Sequence, residues 1–545
     1  MSDVPVTQEG PKRTLSTTGV TINAMALIAP GAFLWITFQL QAAQTGVGAN
    51  AQSTAYDMWT GIVFALIVAF LTAISYSEMA KIYPDAGYGS AYYFAEKTFL
   101  DKEDAKHHKW ARISKLVTGW AAHLFYWVYP GVMVTFMAVL ISYIAGLFGA
   151  TDHTGPGGVG GNPGLPLWIN VCVAVGFALL CGAIAARGIN GSTMTSLIVN
   201  VIQLITLVFF SILAIWYRVS NPQHAHFGKL ADGTLVGHAS AASILLPHSL
   251  TGVLFQSTIA ILILVGFESC TALGAEAKDP KRSVPTGVLL SLVIQGLFAY
   301  LIEYFAANYA LSDKLVYSAT DAAGKVTVST GMAAAGLSQA PIGDMMRLFG
   351  DNLLHGLGFG LAVTMAVTVA LAILGTTLAC INTGVRVSYA MAKDKEMPEI
   401  MGLMHGKLAT PVAGTWVLVI VSAIIGAIGV KSTVVQTGVG IASNLGTFVL
   451  YALICIWTII AFSHRPEKSI LKHVIIPVTG LIMNVLMVLT IFYLAFGAGG
   501  DSATEGRIAI YFALGWAVIS GIYVVIANAR SGRKILEHPV TNTVG

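Results

Sequence analysis

The chain has 545 residues, of which 10% are charged and 55% are hydrophobic, and its formal net charge is +4. Soluble domains carry about 25% charged residues, so this composition excludes a soluble enzyme and a disordered chain. The basic residues are scattered and form no stripe that would hold a nucleic acid. The 5 cysteines lie in apolar runs without zinc-site spacing, so we predict neither a disulfide framework, nor a metal site, nor a cofactor.

Twelve apolar runs follow a short polar N-terminal tail, each near the roughly 20 residues that cross a bilayer. We place them at 18–43, 57–80, 116–147, 166–186, 193–217, 252–276, 285–310, 355–391, 411–430, 436–462, 471–496 and 506–528. The sequence therefore predicts an all-α integral membrane protein embedded in a lipid bilayer.

Lys and Arg residues divide unequally between the two sides of these spans. With the N-terminus placed inside, the inner segments hold 23 of them and the outer loops hold 7. This bias predicts that both termini are cytoplasmic. The absence of a disulfide pattern and of a signal peptide favours a bacterial inner membrane. In the outer segment 311–350, we expect residues 338–350 to form a short helix over the outer mouth.

The first and sixth spans are interrupted. The first contains IAPGAF at 28–33, where Pro30 removes a backbone donor. The sixth contains LVGFES at 264–269, with a glycine and a carboxylate in mid-span. One such break is commonly a harmless kink, but two breaks at corresponding positions of two halves are typical of a transporter binding site.

Three stretches resemble signatures of the amino acid–polyamine–organocation superfamily. SYSEMAKIYPDAGYG at 75–89 resembles the SYxELAxxxPxAGG signature. GFES at 266–269, followed by EAKDPKRSVP at 276–285, resembles the GFES and ExKNPxRxIP signature. RVSYAMAKD at 386–394, with Pro398 and TPV at 410–412, resembles the end of the eighth helix and its following loop. The three occur in order and with the right spacing, and the resemblance extends from about 18 to 528.

The resemblance implies two five-helix inverted repeats, with broken helices one and six, followed by two extra helices. On this chain the repeats would be 18–217 and 252–462 and the extra helices 471–528, with cytoplasmic tails at 1–17 and 529–545. It also implies a secondary transporter that moves amino acids or related amines by alternating access, and no enzymatic activity.

The resemblance places the small-molecule substrate between the two breaks. The binding candidates are Ile28, Ala29, Gly31, Ala32, Phe33, Val265, Gly266, Phe267 and Tyr126. A half-helix that begins there directs N–H groups at a carboxylate, and one that ends there offers carbonyls to an ammonium. Of the family's Gly-Ser-Gly-Ile-Phe-like stretch only Gly31 and Phe33 match, and Pro30 has no N–H. This departure favours an amine, or an amino acid held differently, as alternatives to a plain α-amino acid.

Two carboxylates are candidates for coupling or gating. Glu268 follows the break in the sixth span, where an unpaired charge is costly. It carries a proton, faces a substrate ammonium, or is a neutral carboxyl bonded to the backbone. Glu78 lies three residues before Lys81, which allows an ion pair on one helix face, and we expect a structural or gating role for it.

Three polar residues bear on the coupling ion. Gln203 stands where some members of the superfamily carry a lysine that replaces sodium, which argues against proton coupling through the fifth span. The hydroxyl of Thr376 or Thr377 could ligate sodium opposite the first break, although such hydroxyls more often bond back to their own helix. Proton coupling, sodium coupling and exchange all remain open.

Other classes of membrane protein fit the sequence less well. It has no HExxH, GxSxG or paired acidic motif of a membrane enzyme, and twelve spans with two breaks fit a channel poorly. A polyamine- or amine-selective permease or exchanger, and a nutrient sensor on the same fold, stay as alternatives.

Overall fold

The computed structural model describes residues 13–28, 30–45, 53–84, 89–100, 105–150, 164–187, 192–224, 235–320, 326–404 and 410–531. The helices are α1 (Thr17–Ile28), α2 (Pro30–Ala43), α3 (Met58–Ile82), α4 (Ala91–Leu100), α5 (Ala105–Leu147), α6 (Leu167–Ala186), α7 (Ser192–Ser220), α8 (Ala241–Leu245), α9 (Leu250–Ala260), α10 (Pro280–Leu292), α11 (Leu301–Ala310), α12 (Gly331–Leu337), α13 (Pro341–Leu353), α14 (Gly358–Lys393), α15 (Val412–Gly429), α16 (Thr433–Phe462), α17 (Ile476–Gly497) and α18 (Gly500–Ser531).

Within these ranges, 11 helical segments are long and apolar enough to cross a membrane. They match the second to twelfth predicted spans, and the first predicted span corresponds to α1 followed by α2. The predicted helical membrane fold is therefore confirmed, and the sixth span is interrupted as predicted, whereas Ala29 at the predicted first break lies outside the described residues. The repeat bounds 18–217 and 252–462, the extra helices 471–528 and the tails stay predictions.

One feature of the fold lies outside the all-helical prediction. Strands β1 (Val316–Thr320) and β2 (Val326–Thr330) pair antiparallel, with Val316 opposite Thr330. Both strands are rich in Val and Thr, whose branched side chains favour extended backbone. The hairpin lies between the seventh and eighth spans, and α13 after it confirms the short helix expected at 338–350.

We call the two ends of the bundle the N-terminal face and the hairpin face, after the segments that lie there. At the N-terminal face, the backbone of Leu15 bonds to the loop after the sixth span, accepting from Lys278 N and donating to Glu276 O, both at 2.9 Å. At the hairpin face, Met332 N donates to Val236 O at 2.9 Å, which joins α12 to the segment before the sixth span.

Burial differs strongly between the helices. The most apolar 18-residue window of α5 is 78% buried, and that of α16 is 67% buried. The corresponding window of α18 is only 11% buried. Helices α5 and α16 therefore form the middle of the protein, and α18 presents most of its surface outward.

An acidic and aromatic cluster fixes α4 to the N-terminal face. Lys115 Nζ lies 2.8 Å from Glu96 Oε2 and 2.7 Å from Asp394 Oδ2. The hydroxyl of Tyr92 donates to Asp394 Oδ2 at 3.0 Å. Glu396 is buried beside this group, and its burial raises the pKa of its carboxyl to about 8 in spite of the nearby Lys115. The pKa of this acid in the cluster therefore lies far above its ordinary value of 4.5.

This raised pKa predicts a pH-dependent effect of the Glu396→Gln substitution. Between the unfolded and folded pKa values, the unfolded carboxyl ionises while the folded one stays protonated, so stability is lost as pH rises towards about 8. The variant cannot ionise, so its unfolding temperature in detergent should match wild type at about pH 5 and exceed it at about pH 8. The exposed Glu399→Gln is the control, and equal behaviour of the two variants would contradict the assignment.

Candidate functional site

The last described turn of α1 is buried inside the protein, and its carbonyls accept hydrogen bonds from side chains of other spans. The hydroxyl of Tyr300 donates to Ile28 O at 2.7 Å. The hydroxyl of Thr376 donates to Ala26 O at 2.9 Å. Side chains of the seventh and eighth spans thus bond the end of the first half-helix, in a medium that has no water to do so.

A third bond comes from a widened turn of the seventh span. Gln295 Nε2 donates to Met25 O at 3.3 Å and to Asn200 Oδ1 at 3.2 Å. Both Gln295 and Tyr300 belong to a π-helical segment, Val293–Tyr300, between α10 and α11. Segments of this kind occur frequently at functional sites, and this one places two donors on the end of α1.

The sixth span loses its α-helical form beside the same point. After α9 come two 3₁₀ segments, Ile261–Ile263 and Phe267–Leu273, separated by Gly266 with φ of +124°. A Cβ on Gly266 would lie 2.9 Å from Leu27 Cγ and 3.1 Å from Ile28 N. The two broken helices therefore meet, and the lack of a side chain at Gly266 permits this approach.

Glu268 lies at the start of the second half of the sixth helix and is 1% exposed. Its Oε2 accepts from Gly266 N at 3.0 Å and from the Tyr451 hydroxyl at 2.9 Å. Its Oε1 accepts from the Tyr126 hydroxyl at 3.2 Å. Three donors thus surround this carboxyl, an arrangement suited to an anionic acceptor.

Aromatic rings close the space around this carboxyl. The ring of Phe267 lies 6.1 Å from that of Tyr76 and 5.4 Å from that of Tyr451. Phe267 and Val265 are fully buried. The hydroxyl of Tyr76 is buried and has no hydrogen-bond partner among the described residues.

The structure brings several predicted site residues together. Ile28, Gly266 and Tyr126 meet at the junction with Glu268, and Val265 and Phe267 adjoin it in the sixth span. Ala29 lies outside the described residues. Gly31, Ala32 and Phe33 belong to the first turn of α2, and only their backbone course is described.

The coupling and gating candidates have different surroundings. Thr376 bonds to α1 as described, whereas the hydroxyl of Thr377 donates back to Ile373 O at 2.6 Å. Gln203 is buried in α7. Glu78 lies at the N-terminal face, 2.7 Å from Lys81 Nζ as its spacing predicts, and 3.1 Å from His473 Nε2.

Sequence reasoning missed Gln295, Tyr300 and Tyr451. Each is a polar residue within an apolar span and belongs to no motif, so its role depends on contacts across the bundle. The signal that could have found Gln295 is its amide in mid-span, which needs a partner in the membrane.

Two clefts lie on the N-terminal side of this junction, and Ser269, next to Glu268 in the chain, lines one of them. One is lined by Asn23, Ser269, Leu273, Ala379, Asn382, Thr383 and Arg386. A wider one shares Asn382 and Arg386 and includes Glu276. Arg386 Nη2 lies 2.7 Å from Glu276 Oε1, which ties the eighth span to the end of the sixth. Towards the hairpin face, Gln256 Nε2 donates to Gln41 O at 2.8 Å and holds α9 against α2.

The junction predicts that Gly266→Ala destabilises the protein. The added Cβ would meet the end of α1, and the positive φ of this position strains any residue other than glycine by about 1–3 kcal/mol. We expect a lower unfolding temperature in detergent. Gly440→Ala is the matched control, because the nearest atom to its added Cβ is Leu262 Cδ2 at an ordinary 3.9 Å. Equal unfolding temperatures for both variants would show that the close approach is absent.

Comparisons with known proteins show which sequences this chain is similar to. The chain is 22% identical over 440 residues to a methylthioribose transporter of Bacillus subtilis, which covers 78% of this chain and 79% of the relative. It is 26% identical over 408 residues to a branched-chain amino acid permease of Lactococcus lactis, covering 72% and 74%. A low-affinity putrescine importer of Escherichia coli is 24% identical over 250 residues, 46% of each chain.

A family model described as amino acid permease matches residues 13–519, nearly the whole chain. This match, the apolar spans and the two interrupted helices identify a multi-pass membrane transporter and not an enzyme. The protein belongs to the amino acid permease family, within the superfamily that its three sequence signatures resemble.

Proposed function

We propose that this permease is a secondary transporter that binds an amino acid or a related amine between the broken helices and moves it by alternating access. The observation that carries the proposal is the contact of Gly266 with Leu27 and Ile28, beside the carboxyl of Glu268. The names of the relatives support the substrate class, since they include a permease for branched-chain amino acids and an importer of putrescine.

Electrostatics at the junction favours the ammonium end of such a substrate. Glu268 is an acceptor at the place where a ligand would lie, and none of the ion pairs among the described residues includes it. The N–H of Gly266 is already bonded to this carboxyl, and Pro30 has no N–H to offer a substrate carboxylate. These contacts favour an amine without a carboxylate as the substrate. An α-amino acid is the second candidate.

We assign the N-terminal face to the cytoplasm of a bacterial cell, following the distribution of Lys and Arg. The clefts of this face then lead inward from the junction. The Arg386–Glu276 pair borders both the end of the sixth span and the eighth span, which suits a contact that forms and breaks as the inner path closes and opens. A nutrient sensor on the same fold would bind the same ligand and carry no flux.

Uptake by the purified protein in proteoliposomes tests this function. The vesicles are exposed to a pool of amino acids and their decarboxylated amines, with and without an inward proton gradient, and the contents are read by mass spectrometry. We expect selective entry of amines, or of amines and amino acids. No entry under either condition, even with sodium and counter-substrate present, would reject the transporter and favour the sensor.

The role of Glu268 is tested by Glu268→Gln in the same assay. Loss of the carboxylate removes the charge that would attract an ammonium, so entry of amines should fall more than tenfold, a loss of at least about 1.4 kcal/mol. Glu399→Gln, an exposed acid of the N-terminal face, is the control. Unchanged amine entry in the Glu268 variant would exclude this carboxyl from the binding site.

The Arg386–Glu276 contact is tested by charge reversal. Glu276→Arg and Arg386→Glu each place like charges together, so each should lower uptake. The double variant restores opposite charges and should recover a large part of the activity. Additive losses in the double variant would show that the two residues act independently.

A further inference from the structure

Glu303 is a buried acid of the seventh span that the substrate site does not use. It lies in α11, its side chain is 2% exposed, and its Oε2 has no hydrogen-bond partner among the described residues. Glu303 is in none of the ion pairs found among the described residues. An ionisable group inside a membrane span is costly and usually marks an ion or proton pathway.

Its position links it to the end of α1. Glu303 lies about one helical turn after Tyr300 and directly before Tyr304. Tyr300 bonds to Ile28 O at 2.7 Å. The ring of Tyr304 lies 5.7 Å from that of Phe38 in α2. A change of charge on Glu303 would therefore occur next to two residues that contact the first span, one at α1 and one at α2.

Among the described residues, the cations on the helices packed against α11 have other partners. Helices α2 and α8 carry no titratable side chain within their bounds. Helix α7 contributes Tyr217 and Arg218, and the guanidinium of Arg218 donates to His238 O and Ala239 O, each at 3.0 Å. Helix α3 contributes Tyr76, Glu78 and Lys81, of which the last two pair with each other at 2.7 Å.

The two buried acids next to the path differ in their surroundings. Glu268 accepts three hydrogen bonds, from Gly266, Tyr126 and Tyr451. Glu303 has an oxygen without any partner. Since donors and cations compensate a buried negative charge, the charged form of Glu268 is the better compensated of the two, and the environment of Glu303 suits a carboxyl that binds and releases a proton.

We propose that Glu303 is the site at which this transporter binds its coupled proton. The inference rests on the proposed function, because it assigns a driving ion to the same transport cycle. A proton from the hairpin-face solution adds to the carboxylate of Glu303 and gives the neutral acid. The same proton leaves to the N-terminal face when the inner path opens. Tyr300 and Tyr304 relay this change of charge to the end of α1 and to α2.

A first experiment detects the proton without any substrate. Infrared difference spectra of the purified full chain, recorded while pH is raised, contain the C=O band of buried protonated carboxyls. We expect one pH-dependent component of this band to disappear in Glu303→Gln and to remain in Glu505→Gln. Glu505 is the matched control, a buried glutamate of α18 whose Oε2 is also without a partner. Identical bands in wild type and Glu303→Gln at every pH would overturn the proposal, whether or not the protein transports.

A second experiment separates coupling from transport. Proteoliposomes are tested with the amino acid and amine pool, once for accumulation driven by an inward proton gradient and once for exchange against the same pool inside. In Glu303→Gln we expect exchange at the wild-type rate and gradient-driven accumulation reduced to its level without a gradient. Glu303→Asp should restore part of the accumulation, and Glu505→Gln should keep all of it.

Two outcomes would contradict the assignment. Gradient-driven accumulation that persists in Glu303→Gln would show that the proton binds elsewhere. Loss of accumulation and exchange together, without rescue by Glu303→Asp, would show that Glu303 only supports the structure. If wild type neither accumulates nor exchanges, the proposed function fails, and the infrared result still decides whether Glu303 binds a proton.

Discussion

The carbonyls in the last described turn of α1 determine much of the architecture, because Pro30 has no N–H to offer the carbonyl of Ala26 and water does not reach this depth of a membrane. Each unpaired polar group there costs several kcal/mol. Hydrogen bonds from Tyr300, Thr376 and Gln295 offset this cost, and these residues belong to two other spans. The widened turn of the seventh span follows from the same requirement, since it places two of these three donors.

In the sixth span, a backbone N–H at the start of the second half needs an acceptor. A side chain of the same span supplies it. Glu268 accepts from Gly266 N and so occupies the donor end that a ligand carboxylate would otherwise use. The two breaks thus differ in charge: one ends in carbonyls bonded by neutral donors, and the other begins with a carboxylate. A ligand between them would meet hydrogen-bond acceptors on both sides, which is the physical basis for the proposed preference for an ammonium.

Sequence alone predicted the spans and both breaks because each depends on local chemistry. Hydrophobic length determines a span, and proline, glycine and a carboxylate in mid-span mark a break. The pairing of Glu78 with Lys81 was equally local and is confirmed. Tyr300, Gln295 and Tyr451 were not predicted, since their roles come from partners far away in the chain. The paired strands within 316–330 were missed because they are short and lie in a polar segment between two spans.

The exposed last helix has a consequence for handling the protein. Because most of α18 faces outward, its apolar surface is covered by lipid tails and not by other helices, and helix association in membranes draws no hydrophobic gain from burial. Its attachment to α16 and α17 then depends on packing and on the molecules around it. The detergent or lipid chosen for purification therefore contributes to the structure. We expect α18 to be the first helix to shift when the detergent or lipid is unsuitable.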